Sequence, residues 1–214
     1  MPSKICAVLI ADVMGSRART DLRSLLGKKL AVLSRRHLRH KLIQLPYSVT
    51  AGDEFQTVTR DLPAVPAVIQ ELRTFLRPLS LRIGVGFGGV SGRIQAPVNR
   101  LGGEAFQYAR QAIESIKAGN LFKFDVLTAF VSRHEHFNKT INLIYGLHDT
   151  LVLKITARQW ETIEEFLDRP TLERTARRLG LDDSTVSRNL KRGYYWQLVE
   201  TAKVAGSLIQ RTFC

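Results

Sequence analysis

The sequence is poor in cysteine, in long apolar runs and in acidic residues. Two cysteines among 214 residues, Cys6 and Cys214, exclude a disulfide framework or a cysteine-rich metal cluster. No apolar run reaches the roughly 18 residues that a membrane-spanning helix needs, so no membrane partner is expected. Residues 1–4 lead directly into a strand pattern without the layout of a secretory signal, and we therefore expect a cytoplasmic location.

Positive charge is the strongest feature of the composition. The chain carries 32 Lys and Arg against 19 Asp and Glu, which gives a formal net charge of +13 and a pI near 10.3. Such an excess favours polyanionic partners, namely nucleic acid, nucleotides or an anionic membrane surface, although it also serves solubility. A hydrophobic content of 44% predicts a real core, in one large domain or two smaller ones.

Two aspartates stand at the ends of strand patterns. Asp12 ends the apolar run 5–11, which predicts a central strand, and Asp53 lies in a Gly-Asp turn between two short alternations that predict a β-hairpin. If the strand lies beside the hairpin, the two carboxylates converge and suit Mg²⁺ (or Mn²⁺) held together with substrate phosphates. The alternative is structural, because Asp is also common in turns.

A turn at Gly15 and Ser16 separates the first strand from a helix predicted over about 21–42. The free backbone N–H groups of that turn, with Arg17 next to it, would lie beside Asp12 and receive phosphate oxygens. Alternatively, Gly15 and Ser16 only connect a strand to a helix. The helix is apolar on one side and densely basic on the other, which is typical of a polyanion surface or of a solvated face.

The pattern of the next hundred residues completes an α/β domain. It predicts a helix over 61–76, a strand over 81–90, a helix over 104–118 and a strand over 122–131. The glycines of the 81–90 strand place it close to another backbone or to a ligand. The order β, α, β-hairpin, α, β, α, β predicts a mixed sheet with helices against it, in an α/β (α+β) domain of residues 1–132.

Residues 133–214 form a second, all-α region. Helices are predicted over 137–154 and 157–168, followed by a helix, a left-handed turn at Gly180 and a further helix that Asp183 or Ser184 caps. This predicts a helix-turn-helix domain in which Ala176 lies at the helix crossing. Its shared core comprises Leu172, Leu179, Val186 and Leu190.

The second helix of this unit would contact double-stranded DNA. The candidate DNA-binding residues are Ser184, Thr185, Ser187, Arg188 and Lys191. Arg188 is the candidate for a guanine edge, because its fork matches O6 and N7, whereas Ser184, Ser187 and Lys191 suit phosphates. The alternative is a module that mediates self-association or binds protein.

The motifs at 10–16, 51–56, 82–86 and 105–114 resemble those of the SatD family, small bacterial proteins with a C-terminal helix-turn-helix. More remotely, the first 130 residues look like the catalytic domains of class III nucleotidyl cyclases and GGDEF-type diguanylate cyclases, which implies a cyclase/ferredoxin-like palm. In that resemblance Asp12 and Asp53 match the two metal-binding acids. The implied chemistry is phosphoryl transfer, in which two metals activate a ribose 3′-hydroxyl and neutralise the triphosphate.

The sequence departs from the cyclase pattern on the helix after the last loop. Gln107 and Gln111 stand where those cyclases carry Asn and Arg, and Arg110 is displaced by about 100° around the helix. Ala51 also replaces a turn glycine. These departures favour a sensor that keeps the metal–nucleotide cradle. The residues expected to contact the nucleotide are Gly15, Ser16, Arg17, Glu54 and Arg110.

The sequence therefore predicts a DNA-binding regulatory protein whose cyclase-like domain binds a metal–nucleotide ligand or dimerises. A homodimer with two-fold symmetry would recognise palindromic operators. The alternative is a Mg-dependent nucleotidyl cyclase or nucleotidyltransferase with a helical scaffold tail, and a third hypothesis is a pure oligomerisation module.

Overall fold

A computed structural model describes residues 5–16 and 22–214 of the chain. The strands are β1 (Cys6–Val13), β2 (Ser48–Ala51), β3 (Glu54–Thr59), β4 (Leu81–Gly88) and β5 (Thr128–Val131). The helices are α1 (Leu22–Arg39), α2 (Val65–Phe75), α3 (Glu104–Ala118), α4 (Glu135–Val152), α5 (Ala157–Asp168), α6 (Leu172–Leu179), α7 (Asp183–Arg192) and α8 (Tyr195–Phe213). No helix in the described ranges is long and apolar enough to cross a membrane.

The five strands form one mixed sheet in the order β2-β3-β1-β4-β5. Strand β1 lies at its centre, antiparallel to both β3 and β4, whereas β5 is parallel to β4. All eight residues of β1 are buried, as its continuous apolar run predicts. The mixed sheet and the predicted order of strands and helices are therefore confirmed.

The two faces of the sheet carry different helices. Ala7, Leu9 and Ala11 of β1 pack in a large core with residues of α1 and α2. Val8 and Ile10 point to the opposite side, where they pack against α3. Because successive strand residues alternate between faces, the side chain of Asp12 lies on the α3 side.

Glycines bring α3 directly onto β4. A Cβ atom on Gly86 would lie 2.1 Å from the carbonyl oxygen of Ala105 and 2.3 Å from the amide nitrogen of Ala109. A Cβ on Gly84 would lie 2.5 Å from the α3 backbone. The glycines of this strand therefore face another backbone, one of the two options that the sequence left open, and they fix α3 across the sheet.

The helical region shares its core with the sheet. Phe137 and Ile141 of α4, together with Ala205 and Ile209 of α8, belong to the same core as α1 and α2. A second core joins α5, α6, α7 and the first turns of α8, with Trp160 among its members. The large core thus contains residues from both sides of the predicted domain boundary at 132/133. The division into two domains stays a prediction.

Three local predictions are wrong. Strand β5 begins at Thr128 and not at residue 122, because the Asp149 carboxylate of α4 accepts the N–H of Leu127 and fixes the start of the strand. Leu172 is 37% exposed and Leu179 is half-buried, and of the four predicted core residues only Val186 and Leu190 belong to the second core. Helix α7 is capped by Asp182, one residue earlier than predicted, since its side chain accepts the N–H of Thr185.

Candidate functional site

Asp12 lies near the end of β1, where three strands meet. In the antiparallel register it is opposite Glu54 of β3 and opposite Arg82 of β4. Residues that face each other across antiparallel strands point to the same side of the sheet. The side chains of Asp12, Glu54 and Arg82 therefore lie together on the face that α3 covers.

The Asp12 carboxylate is buried, and only one of its two oxygens has a partner among the described residues. The residue is 6% exposed, and its Oδ2 lies 2.7 Å from Nζ of Lys117 and 4.0 Å from Nη1 of Arg82. Its Oδ1 is buried and has no hydrogen-bond partner among the described residues. An unpartnered carboxylate oxygen in a buried place is costly, which marks this atom as a candidate ligand.

Glu54 forms a two-point pair with Arg110. Nη1 and Nη2 of Arg110 donate to Oε2 and Oε1 of Glu54 at 2.6 and 2.7 Å, and the Thr50 hydroxyl donates to Oε1 at 3.0 Å. Burial works to raise the pKa of Glu54, but the hydrogen bonds from Arg110 and Thr50 and the charges of Arg110 and Lys117 outweigh it and lower the pKa. Bonding to Glu54 likewise raises the pKa of Arg110.

The two α3 cations reach the site from one helix face. Arg110 and Lys117 are seven residues apart, about two turns, so their side chains lie on the same side of α3. Both are partly exposed, with side-chain exposures of 43% and 39%. With Arg82 they place three cations around two buried carboxylates, and the side chains of both α3 cations reach solvent.

The hairpin of Asp53 lies beside β1, as predicted. Asp53 is half-buried in the β2–β3 turn, and its carbonyl oxygen accepts the N–H of Val13 at 3.3 Å. The residue directly across from Asp12 is Glu54, one position later. The meeting of the Asp12 and Asp53 carboxylates stays a prediction.

The predicted phosphate-binding turn follows β1. Gly15 is exposed with φ +67°, a left-handed conformation that favours glycine, and Ser16 is half-buried next to it. Arg17 lies outside the described residues. The phosphate-binding role of this turn stays a prediction.

The donor atoms at Asp12 fit a divalent cation that arrives with its other ligands. No group of three or more His, Cys, Asp or Glu side chains in the described ranges is arranged to hold a metal ion. Mg²⁺ is nevertheless commonly held by one or two carboxylates, with waters and substrate phosphates completing its shell. The unpartnered Oδ1 of Asp12 fits this chemistry, and Asp53 is the second candidate ligand.

The exposed face of α7 carries the predicted DNA-contacting side chains. Ser184, Ser187, Arg188 and Lys191 are exposed and Thr185 is half-buried. Val186 and Leu190 are buried in the second core, so the polar side chains point away from it. The Arg188 guanidinium donates to the hydroxyls of Thr185 at 2.9 Å and Ser184 at 3.3 Å, which holds it along the first turns of the helix.

Two ionic contacts of the structure were not predicted from the sequence. Lys117 was not predicted as a site residue, although its seven-residue spacing from Arg110 places both on one helix face. Arg73 and Asp149 form a fully internal pair at 3.3 Å, which links α2 to α4 beneath β5. Arg73 interrupts the apolar face of α2, and that position is the only sequence signal for the pair.

A protein-family model for the SatD family matches residues 6–209 of the chain. No curated protein matches it. Among solved structures, a bacterial light-regulated adenylyl cyclase is similar at 14% identity over 59% of this chain and 75% of that one, with a TM-score of 0.40. The dimeric guanylyl cyclase domain of the RhoGC fusion protein from the aquatic fungus Blastocladiella emersonii is similar at 17% identity over 54% and 78%, with a TM-score of 0.40. A regulator of polyketide synthase expression from Bifidobacterium adolescentis is similar at 17% identity over 96% and 81%, with a TM-score of 0.31.

Proposed function

The chain belongs to the SatD family, and we propose that it is a cytoplasmic DNA-binding regulatory protein whose α/β part senses a nucleotide carrying a divalent metal. The observation that carries the proposal is the exposed polar face of α7, whose apolar side is buried in a core shared with α6. Helix α7 has 10 residues and a length of about 15 Å, which suits insertion into the major groove of DNA. Its partner α6 and the left-handed turn at Gly180 support a helix-turn-helix assignment.

Arg188 is the proposed base-reading residue. It lies in the middle of α7, and its guanidinium is already ordered by two hydroxyls of the same helix. An ordered guanidinium loses less conformational freedom when it forms a two-point contact with guanine. Ser184, Ser187 and Lys191 then contact phosphates and fix the orientation of the helix.

Much of the charge for phosphate contacts lies outside the helix-turn-helix. Residues 133–214 contain 13 Lys and Arg against 10 Asp and Glu, whereas residues 1–132 contain 19 against 9. Lys28, Arg35 and Arg39 are exposed on α1. We include this helix in the proposed DNA-facing surface, where it adds non-specific affinity that falls steeply with salt.

The proposal includes a homodimer that presents two copies of α7 to a palindromic site. The alternative is a Mg-dependent nucleotidyl cyclase or nucleotidyltransferase. Arg110 is committed to Glu54 by two hydrogen bonds, and Gln107 and Gln111 are neutral and exposed, which supports the sensor over the enzyme. Pyrophosphate release from any of the four nucleoside triphosphates with Mg²⁺, abolished by Asp12→Ala, would instead establish the enzyme.

The test starts from DNA that the wild-type chain selects from a random-sequence pool. Arg188→Ala is expected to weaken binding to the selected sequence by about 5- to 150-fold, the cost of one two-point base contact, while affinity for unrelated DNA changes little. Lys203→Ala is the matched control, because it removes an exposed cation from α8. If no sequence is enriched, or if Arg188→Ala binds the selected DNA as tightly as Lys203→Ala does, the assignment is wrong.

A further inference from the structure

The contact between Lys117 and Asp12 gives the candidate metal site an internal competitor. The Lys117 ammonium lies 2.7 Å from Oδ2 of Asp12, at the distance of a charge-assisted hydrogen bond. It thereby occupies one of the two oxygens that a divalent cation would use. Arg82, at 4.0 Å from the same oxygen, adds a second positive charge.

We infer that Lys117 is a tethered cation that a divalent metal must displace to bind Asp12, so that this site takes a metal together with phosphates but not the metal alone. The inference rests on the proposed sensor function of the α/β part. A divalent cation at Asp12 would add two positive charges beside the Lys117 ammonium and the Arg82 guanidinium, and this repulsion opposes binding unless Lys117 moves away. A metal ion alone leaves the displaced ammonium to solvent or to Glu54, which Arg110 already binds, whereas a phosphate chain supplies a new anionic partner.

The geometry around Lys117 allows this exchange. Its side chain is 39% exposed and extends from the last turn of α3, so the ammonium can leave Asp12 without unfolding the helix. Arg110 lies two turns earlier on α3 and is hydrogen-bonded to Glu54. Its side chain is partly exposed to solvent. The unpartnered Oδ1 of Asp12 supplies the independent sign that this carboxylate is incomplete without a ligand.

The ion pair also has a role when no metal is bound. Leaving a buried carboxylate without a counter-charge is costly, so Lys117 stabilises the metal-free state. A nucleotide with its metal supplies positive charge for Asp12 and negative charge for Lys117 in one molecule. The Lys117–Asp12 ion pair therefore favours binding of a metal–phosphate complex over binding of the free metal ion.

The test measures Mn²⁺ binding by isothermal titration calorimetry on the full chain. Lys117→Met, which keeps the length of the side chain but removes its charge, is expected to bind Mn²⁺ alone at least tenfold more tightly than the wild type. The added substitution Asp12→Asn is expected to abolish that gain. Lys123→Met is the matched control, because Lys123 is an exposed lysine in the loop after α3 and is expected to change nothing.

A second arm uses inorganic triphosphate preloaded with Mn²⁺. The wild type is expected to bind this complex at least tenfold more tightly than Mn²⁺ alone, and Lys117→Met to lose most of that preference. Lys117→Gln serves as a second variant, and thermal unfolding confirms that each variant is folded. The inference is overturned if both Lys117 variants bind Mn²⁺ no more tightly than the wild type, if Lys123→Met gains as much, or if the gain survives Asp12→Asn. None of these measurements involves DNA, so a failure here is separable from a failure of the DNA-binding proposal.

Discussion

Replacing Asp149 with alanine should cost more stability than any surface substitution, because it leaves Arg73 buried without its counter-ion. Asp149 is 0% exposed and Arg73 is 5% exposed. The Asp149 carboxylate lies 3.3 Å from Nη2 of Arg73 and accepts the N–H of Leu127 at 2.8 Å and the hydroxyl of Thr128 at 3.3 Å. Asp149→Ala therefore removes the anion and leaves a backbone N–H unpaired at the start of β5.

The expected loss is about 3–5 kcal/mol in the free energy of unfolding, the usual cost of removing one partner from a buried ion pair. At about 2.1 cal/mol/K of unfolding entropy per residue, a chain of 214 residues has about 0.45 kcal/mol/K, so the Tm should fall by about 7–11 °C. Differential scanning calorimetry measures both quantities. Asp125→Ala is the matched control, because Asp125 is an exposed carboxylate just before β5 and its removal should shift the Tm by about 1 °C at most.

The double substitution Arg73→Met with Asp149→Leu completes the test. If the cost arises from an uncompensated charge, replacing both partners by apolar side chains should recover much of the loss. A Tm for Asp149→Ala within 2 °C of the wild type would refute the reasoning. A double variant at least as unstable as Asp149→Ala would show that the lost Leu127 hydrogen bond dominates instead.

Two further predictions concern α3 and its ion pair. Gly86→Ala should lower the free energy of unfolding by about 1–3 kcal/mol or more, because the added methyl group meets the α3 backbone. The control Gly27→Ala, in open space on α1, should raise the free energy of unfolding by about 0.5–1 kcal/mol. Equal effects of the two substitutions in urea unfolding would contradict this prediction. The pKa of Glu54 is lowered in the folded state, so the stability it contributes is present above its ordinary pKa of 4.5 and is lost as the pH falls through the lowered value. Urea midpoints of Arg110→Gln and the wild type should therefore differ at pH 7 and converge towards pH 3, and a constant gap would contradict the assignment.

Local pattern was enough to predict much of the fold. The apolar run before Asp12 predicted the central strand, and alternation around Gly52 predicted the hairpin that pairs with it. Helix α3 was predicted with its observed bounds, because Gly119 adopts the left-handed conformation that ends it. Each of these features depends on residues close together in the chain, and for that reason it could be predicted from the sequence.

The contacts at the site depend on how distant elements pack, and the sequence does not encode them locally. Glu54 and not Asp53 lies directly across from Asp12, because the continuous register of the β1–β3 pair ends at that position. Lys117 reaches Asp12 only because glycines in β4 let α3 lie directly on the sheet. Arg73 and Asp149 are 76 residues apart in the chain. The sequence pointed to Asp12, Glu54 and Arg110 as candidate residues, but it did not point to Lys117 or to the pairing of Arg110 with Glu54.

Helix α8 begins in one core and ends in the other. Tyr195 packs beside α7, and 14 residues later Ile209 lies in the core beneath the sheet, with Phe213 stacked on Phe87 of β4 at 4.7 Å. The helix has 19 residues and is about 28 Å long, so one continuous element connects the two cores. If α7 binds DNA as proposed, a tilt of β4 on ligand binding would act on α7 through α8, because this one helix contacts both β4 and the core that holds α7.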